Sequence, residues 1–333
     1  MTEIIPGIHQ LKIPIPNNPL ECTNVYLLRG DDGYLMIDTG WNSDQAMKSL
    51  KEQLAEIGIR LKDISQIVLT HCHADHYGLT GRLKKQTQAT ISIHYIERDL
   101  LTTRAGDMRE FMRRSEGWFN SNGVPADSFP IFRMTPSERR RLRSPAMPDI
   151  TFRGDETIST GVFNLKLFWT PGHSPGHICL YERDRKILFT GDHVLPVITP
   201  NVSLQPHSEG NPLGDFLSSL GTLRQLDVDV ALPAHERIFY DLKKRIDEIT
   251  LHHRRRNSEI ESAINSGPKT AYQISDAVTW MPDFGGVSFK DLTPWLRRMA
   301  VSETLAHLKF MEVEGTVEKN RIDDIIYYRL NHH

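Results

Sequence analysis

The apolar run at residues 66–69 breaks abruptly into Thr70-His71-Cys72-His73-Ala74-Asp75-His76-Tyr77-Gly78, and no other feature constrains the chain as much. A short apolar run closed by a polar cluster reads as a buried strand with its loop. The same event recurs at 165–169 before Thr170-Pro171-Gly172-His173, at 186–189 before Thr190-Gly191-Asp192, and at 228–232 before Pro233-Ala234-His235. Loops at the carboxyl ends of strands are where α/β proteins assemble their sites. Four segments far apart in the chain would therefore deliver metal-binding side chains to one place.

Zinc favours nitrogen and charged oxygen ligands in a compact arrangement, and a catalytic site keeps one position open for water or substrate. Alternate residues of an extended segment face the same way, so His71 and His73 can grip one ion. Once the chain bends, Asp75 and His76 can grip a second. His173 would complete the first set and His235 the second, and the two oxygens of Asp192 can bridge the pair. Two ions sharing a water would lower its pKa from about 15.7 toward about 7 and supply a hydroxide nucleophile. Cys72 lies between ligands, but alternation points it away from them. A lone histidine is ordinarily a surface or core residue, which is the reading for His9, His94, His177, His207, His252, His253, His307, His332 and His333.

The rest of the chain supports an α/β reading. Strands are expected at 8–13, 24–28 and 34–37, the last two joined by Gly30-Asp31-Asp32-Gly33. A helix over 43–57 carries Met47, Leu50, Leu54 and Ile57 at helical spacing and stops at Gly58. Residues 98–143 interrupt the pattern with a helix-prone insertion in which Met108, Phe111, Met112, Ser115 and Phe119 share a face. Ten arginines against six acidic residues give it a net charge of +4. A charged helix over 241–265 ends near Gly267-Pro268. Beyond it come helices at 271–278 and 294–314 and a terminal hairpin around Asn320.

H-x-H-x-D-H, then T-P-G-H, G-D and a late P-x-H, resembles the pattern of the metallo-β-lactamase superfamily, which includes glyoxalase II-like thioesterases and N-acyl-homoserine lactonases. The resemblance covers about residues 8–240 and fills all seven family ligand positions: His71, His73, Asp75, His76, His173, Asp192 and His235. It implies an αββα sandwich with a dinuclear site at one edge of its two sheets. It also implies that Asp75 orients the hydroxide and passes a proton to the leaving group. Asp38, in Ile37-Asp38-Thr39-Gly40, would be either a carboxylate behind a ligand histidine or a turn-forming aspartate. His193 would donate to substrate or stand behind a ligand. Class B1 β-lactamases have Arg where His76 stands and Cys where Asp192 stands, and flavodiiron proteins have Glu at the His73 position, so both activities are disfavoured.

Fold does not fix substrate. The insertion is read either as a lid, with Trp118 and its apolar face on an acyl chain and Arg139–Arg143 on an anionic group, or as a stripe packed on the body with solvated arginines. Residues 267–333 resemble the winged-helix unit of lactamase-beta-2-like endoribonucleases, through Ala271-Tyr272-Gln273-Ile274 and 302–308. The expected organisation is a catalytic domain over 1–266, with its insertion at 98–150, followed by a winged-helix-like domain over 267–333. Residues 269–333 carry a net charge of −1, where a phosphate-tracking surface should be basic. Nucleic acid is accordingly not the favoured partner, and a packing, dimerising or pocket-shaping role is. The whole chain has a net charge of −2, which offers no general field for polyanions or membranes.

The three cysteines, odd in number and far apart, suit a reducing compartment rather than a disulfide framework. With no signal peptide and no apolar run of about 18 residues, a cytoplasmic, soluble protein is expected. The favoured activity is hydrolysis of a small-molecule thioester, ester or lactone by two divalent ions, zinc first, with manganese or iron accepted by the same ligands. The alternatives are a metal-dependent endoribonuclease and a mononuclear iron persulfide dioxygenase. A nucleic-acid-binding regulator with a structural metal is a third.

Overall fold

Side chains along a strand alternate between two faces, and the N-terminal strands of this chain are apolar on both. Such strands need cover on each side, and two sheets packed face to face with helices outside provide it. A computed structural model of the chain describes residues 2–104, 108–126, 128–129, 146–206, 208, 210–281 and 285–331.

The first sheet has seven strands in sequential order: β1 (Thr2–Ile5), β2 (Ile8–Pro14), β3 (Cys22–Gly30), β4 (Gly33–Ile37), β5 (Ile64–Val68), β6 (Thr90–His94) and β7 (Ile150–Phe152). The first four pair antiparallel, and β4 to β7 pair parallel. The second sheet holds β8 (Thr157–Ser159), β9 (Asn164–Trp169), β10 (Ile178–Glu182), β11 (Ile187–Gly191) and β12 (Val230–Pro233), in the order β12-β11-β10-β9-β8. A separate hairpin, β13 (Val317–Ile322) and β14 (Ile325–Leu330), lies near the C-terminus.

Among the described residues the helices are α1 (Asp44–Glu56), α2 (Ala74–Tyr77), α3 (Thr80–Lys84), α4 (Tyr95–Arg104), α5 (Met108–Ser121), α6 (Pro212–Leu223), α7 (Leu242–Ile264), α8 (Ala271–Ala277) and α9 (Pro294–Val313). The expected α1 begins where Ser43 accepts a hydrogen bond from the Ala46 N–H, and Gly58 follows it with φ +72°.

The buried side chains sort into the layers of a helix–sheet–sheet–helix sandwich. On β3, Val25 and Leu27 face Met47, Leu50 and Leu54 of α1, whereas Tyr26 and Leu28 face Leu165, Leu167 and Phe189 of the second sheet. The far side of that sheet, with Cys179, Leu188 and Ala231, is covered by Leu213, Phe216 and Leu220 of α6 and by Ile246 and Ile249 of α7. A fourth core joins the end of α7 to α8, α9 and the hairpin through Ile260, Ile264, Ile274, Val301 and Leu305.

The structure sharpens two expectations: it places the turn of the expected hairpin, and the described part of the insertion follows the packed one of its two readings. The terminal hairpin turns at Asp323-Asp324, with φ of 47° and 66°, while Asn320 sits within β13 opposite Tyr327. A two-residue hairpin loop needs positive φ at both positions, which aspartate tolerates. The described part of the insertion packs on the C-terminal elements: Phe119 and Val124 are buried with Ile260 and Phe289, and Asn122 accepts from Tyr328 Oη at 3.1 Å. Arg113 and Arg114 are paired with Glu110 at 2.8 and 2.6 Å. The side chains of Met108 and Phe111 and all of 139–143 lie outside the described residues. No helix among the described residues is long and apolar enough to cross a membrane.

Candidate metal centre

β10 is antiparallel to both neighbours and β11 is parallel to β12, so β9, β11 and β12 run the same way and end at one edge. In the first sheet β4 and β5 likewise end together. The loops after these strands carry Asp38, the 71–76 cluster, His173, Asp192 and His235. All seven expected ligand side chains meet there.

Their ligand atoms form three overlapping groups, each within 4.8 Å: His71, His73 and His173; His71, His76 and Asp192; Asp75, His76 and His235. His73 Nδ1 lies 2.9 Å from His71 Nε2 and 3.0 Å from His173 Nε2. Asp192 stands between the outer groups, with Oδ2 3.3 Å from His76 Nε2 and 3.5 Å from His173 Nε2, and Oδ1 3.3 Å from His235 Nε2. Asp75 Oδ2 is 3.3 Å from His235 Nε2 and 3.6 Å from His76 Nε2. The division of 71–76 follows from its backbone: His73 is extended, at φ −68° and ψ 151°, and caps the single turn α2 that carries Asp75 and His76.

The outer nitrogens of these rings reveal what the inner ones hold. His173 Nδ1 meets the Asn201 carbonyl at 2.8 Å and His235 Nδ1 the Cys22 carbonyl at 2.9 Å, acceptors that require a proton on Nδ1. His76 Nδ1 donates to Asp38 Oδ2 at 2.8 Å. Thr70 Oγ1 donates to the same carboxylate, so His71 Nδ1, 3.0 Å from that hydroxyl, is the donor there. In the neutral rings, four Nε2 lone pairs therefore point inward. His73 Nδ1 can satisfy one of them at most. Lone pairs and carboxylate oxygens converging on one volume need protons or cations between them, and two divalent ions with nitrogen and oxygen ligands fit.

Without metal, electrostatics divides the cluster. Burial, reinforced by His76, His73 and His173, holds His71 well below the usual histidine range. Burial also opposes protonation of His76, but Asp192, Asp75 and Asp38 outweigh it and hold the ring well above that range. His235 behaves likewise: burial is overcome by Asp192 and Asp75, and its pKa is pushed up to about 10. Burial raises Asp75, yet His76 and His235 bring it down to about 2, and Asp192 is held well below the carboxylate range in the same way.

Asp38 satisfies both of its expected readings. Its φ of +61° is the left-handed backbone that aspartate tolerates, and its carboxylate accepts from His76 and from the Thr70 N–H at 2.8 Å. His193 is fully buried against Phe216 and His177, with ring centroids 4.5 and 5.6 Å away, which places it behind the ligands. Cys72 is buried in the core under α1, away from the ligand atoms. His177 backs the site: Asp192 N donates to its Nε2 at 3.1 Å, a contact that Gly191 makes room for, since a Cβ there would stand 2.5 Å from the same atom. His94, His253 and His307 are buried outside the three groups, and His207, His332 and His333 lie outside the described residues.

The sequence reading missed Glu97, which is fully buried. It accepts from Cys72 N at 2.8 Å, Ser174 Oγ at 2.5 Å and Gly176 N at 2.7 Å, tying the 71–76 loop to the loop of His173. A signal existed, because β6 ends at His94 and α4 opens with Tyr95-Ile96-Glu97, one more apolar run followed by polar residues.

Comparison with known proteins agrees with this fold. The model of the metallo-beta-lactamase superfamily matches residues 21–235. The chain is 27% identical to the probable metallo-hydrolase YqjP of Bacillus subtilis, covering 92% of each. It is 31% identical to the acyl-coenzyme A thioesterase MBLAC2 of Bos taurus over 51% of this chain, and spans 58% of that relative's length. A solved metallo-beta-lactamase family protein of Thermus thermophilus is 31% identical and superposes with a TM-score of 0.81, covering 98% of this chain and 100% of that one. A beta-lactamase domain protein from Burkholderia ambifaria, 24% identical, shares the fold with a TM-score of 0.81 over 99% of this chain and 94% of its own. By motif order, fold and family match together, the chain belongs to the metallo-beta-lactamase superfamily.

Proposed function

We propose that this metallo-hydrolase cleaves small-molecule thioesters, with esters and lactones as related substrates, at a dinuclear centre whose first-choice metal is zinc. The observation that carries the reading is the convergence of three imidazole Nε2 atoms, of His76, His173 and His235, on the oxygens of Asp75 and Asp192 at 3.3–3.6 Å, beside the group of His71, His73 and His173, a crowding that needs protons or cations between the ligand atoms. His71, His73 and His173 would hold one ion, Asp75, His76 and His235 the other, with Asp192 between them. A second complete ligand group favours two ions over one. When bound, such a pair supplies an acidified water and a Lewis acid for a carbonyl oxygen.

The chain's own residues do the rest. Asp75 is the member of its group with access to solvent, 18% of its side chain being exposed against none for His76 and His235. It is therefore the side chain assigned to hold a proton and hand it to the leaving group. Thr70, Asp38, Asn201 and the Cys22 carbonyl keep the ligand rings in one tautomer and orientation. Support for thioesters comes from the acyl-coenzyme A thioesterase relative and from two exposed aromatic rings close in sequence to the site, Trp41 three residues after Asp38 and Trp169 at the end of β9 four residues before His173, 37% and 46% exposed. Residues 1–266 would form the catalytic unit and 267–333 an added winged-helix-like unit, in a cytoplasmic protein.

Metal content and turnover measured together test this. Two ions per chain are expected, with hydrolysis of acyl-CoA, S-acylglutathione or lactone substrates that is lost in Asp192→Ala. Cleavage of single-stranded RNA with no turnover of the small substrates would overturn the substrate class, and metal-independent hydrolysis would overturn the centre.

A further inference from the structure

Each ring nitrogen facing away from the centre needs a fixed partner, since that partner sets both tautomer and ring angle. His71 and His76 take theirs from Thr70 and Asp38, at the ends of β5 and β4, and His235 takes the carbonyl of Cys22 on β3. All three lie in the first sheet or at its edge. His173 is held differently. Its partner, the main-chain carbonyl of Asn201, lies on the long connection between β11 and α6.

That connection is clamped from outside the sandwich. Asn201 Nδ2 donates to Glu303 Oε2 at 3.1 Å, and three residues along the chain the Leu204 N–H donates to the Ser302 carbonyl at 3.0 Å. Glu303 and Ser302 are neighbours on α9, a helix that contributes Val301, Leu305 and Leu308 to the C-terminal core and Ala306 to the core beneath α6. Val202, between the two clamps, is 1% exposed, so the loop is pressed against the body where α9 grips it. Ser203 Oγ donates to Asn201 Oδ1 at 2.5 Å, which leaves the amide NH2 turned to Glu303.

We infer that Glu303 is a positioning residue for the metal centre: through Asn201 it fixes the carbonyl that orients His173, so the C-terminal helix is a structural part of the site that binds the first ion. This inference rests on the dinuclear reading above. It also assigns the C-terminal unit a task for which neither nucleic acid nor a second copy of the chain is needed.

The test is metal binding by full-length protein stripped with a chelator, titrated with zinc against a chromophoric competitor and with cobalt followed by its absorption. Glu303→Ala should weaken one ion by about 10–100-fold, as loss of partners behind a ligand typically does, and leave the other at wild-type affinity. Glu303→Gln, whose amide oxygen can still accept from Asn201, should restore binding. Asn201→Ala should reproduce the loss, and the double variant should be no worse than either single one, because both act along one path. If Glu303→Ala fails to fold, Asn201→Ala and Glu303→Gln carry the comparison. Wild-type affinity in Glu303→Ala, equal weakening of both ions, or additive effects in the double variant would each overturn the inference. A wild-type chain that takes up no stoichiometric metal would instead overturn the dinuclear reading beneath it.

Discussion

The substitution Asp38→Asn changes one atom of the side chain and isolates what the buried carboxylate does. Asp38 Oδ1 accepts from the Thr70 N–H at 2.8 Å, and Oδ2 accepts from His76 Nδ1 at 2.8 Å. In the variant the amide oxygen must take the Thr70 N–H, because that donor has no alternative. The amide NH2 then stands where Oδ2 stood and faces His76 Nδ1. Two donors cannot share that line, so the imidazole gives up its Nδ1 proton and keeps the one on Nε2, the atom that faces Asp192 and Asp75. Binding an ion at Nε2 requires reversing this arrangement, at the cost of a hydrogen bond to a charged group, about 1.5–3 kcal/mol, or about tenfold to a hundredfold in affinity. Stability of the metal-free chain should fall by less than about 2 kcal/mol, because asparagine tolerates the left-handed backbone at this position. Zinc affinity by chelator competition and urea unfolding of the stripped protein measure the two effects. A variant that binds both ions with wild-type affinity would refute the tautomer argument.

Three further outcomes are expected. His173→Ala and Asp192→Ala should each lower turnover by at least about a hundredfold while the stripped proteins stay folded by circular dichroism; near-normal activity in either would show the ligand set to be misassigned. In the metal-free chain His235 has a pKa raised from 6.5 to about 10, so its contribution is complete below 6.5 and is lost as pH rises through about 10. Asp75, lowered from 3.8 to about 2, contributes above 3.8 and ceases to as pH falls through about 2. Thermal melts of stripped protein should therefore show the cluster's stabilisation greatest between these limits and decline above 6.5, and a melting temperature rising from there toward pH 10 would contradict the sign. Glu97→Ala strands three buried donors, Cys72 N, Ser174 Oγ and Gly176 N, and should cost about 3 kcal/mol or more in urea unfolding; a loss under about 1 kcal/mol would mean that those donors find other partners.

What can be read along the chain is what local periodicity encodes. The strands that end in ligands, the α1 boundaries at Ser43 and Gly58, the α7 and α9 spans, and the separation of His71 and His73 from Asp75 and His76 all follow from residues close in sequence. Strands of three residues, β7 and β8, carry too little pattern to stand out, and β10 is buried throughout, so no alternation marks it. Long-range partnerships leave no such trace. Glu97, just after β6, takes its three hydrogen bonds from the loops that follow β5 and β9, and nothing in its own neighbourhood names them. The apolar face of the insertion could be recognised from spacing, but its burial by the C-terminal core depended on where α7, α8 and α9 came to lie. The same holds for Glu303, about a hundred residues from the loop it clamps. A ligand motif is fixed by the reach of a few consecutive side chains; the partners that orient those ligands are chosen by the packing of whole elements, which only the folded chain brings into contact.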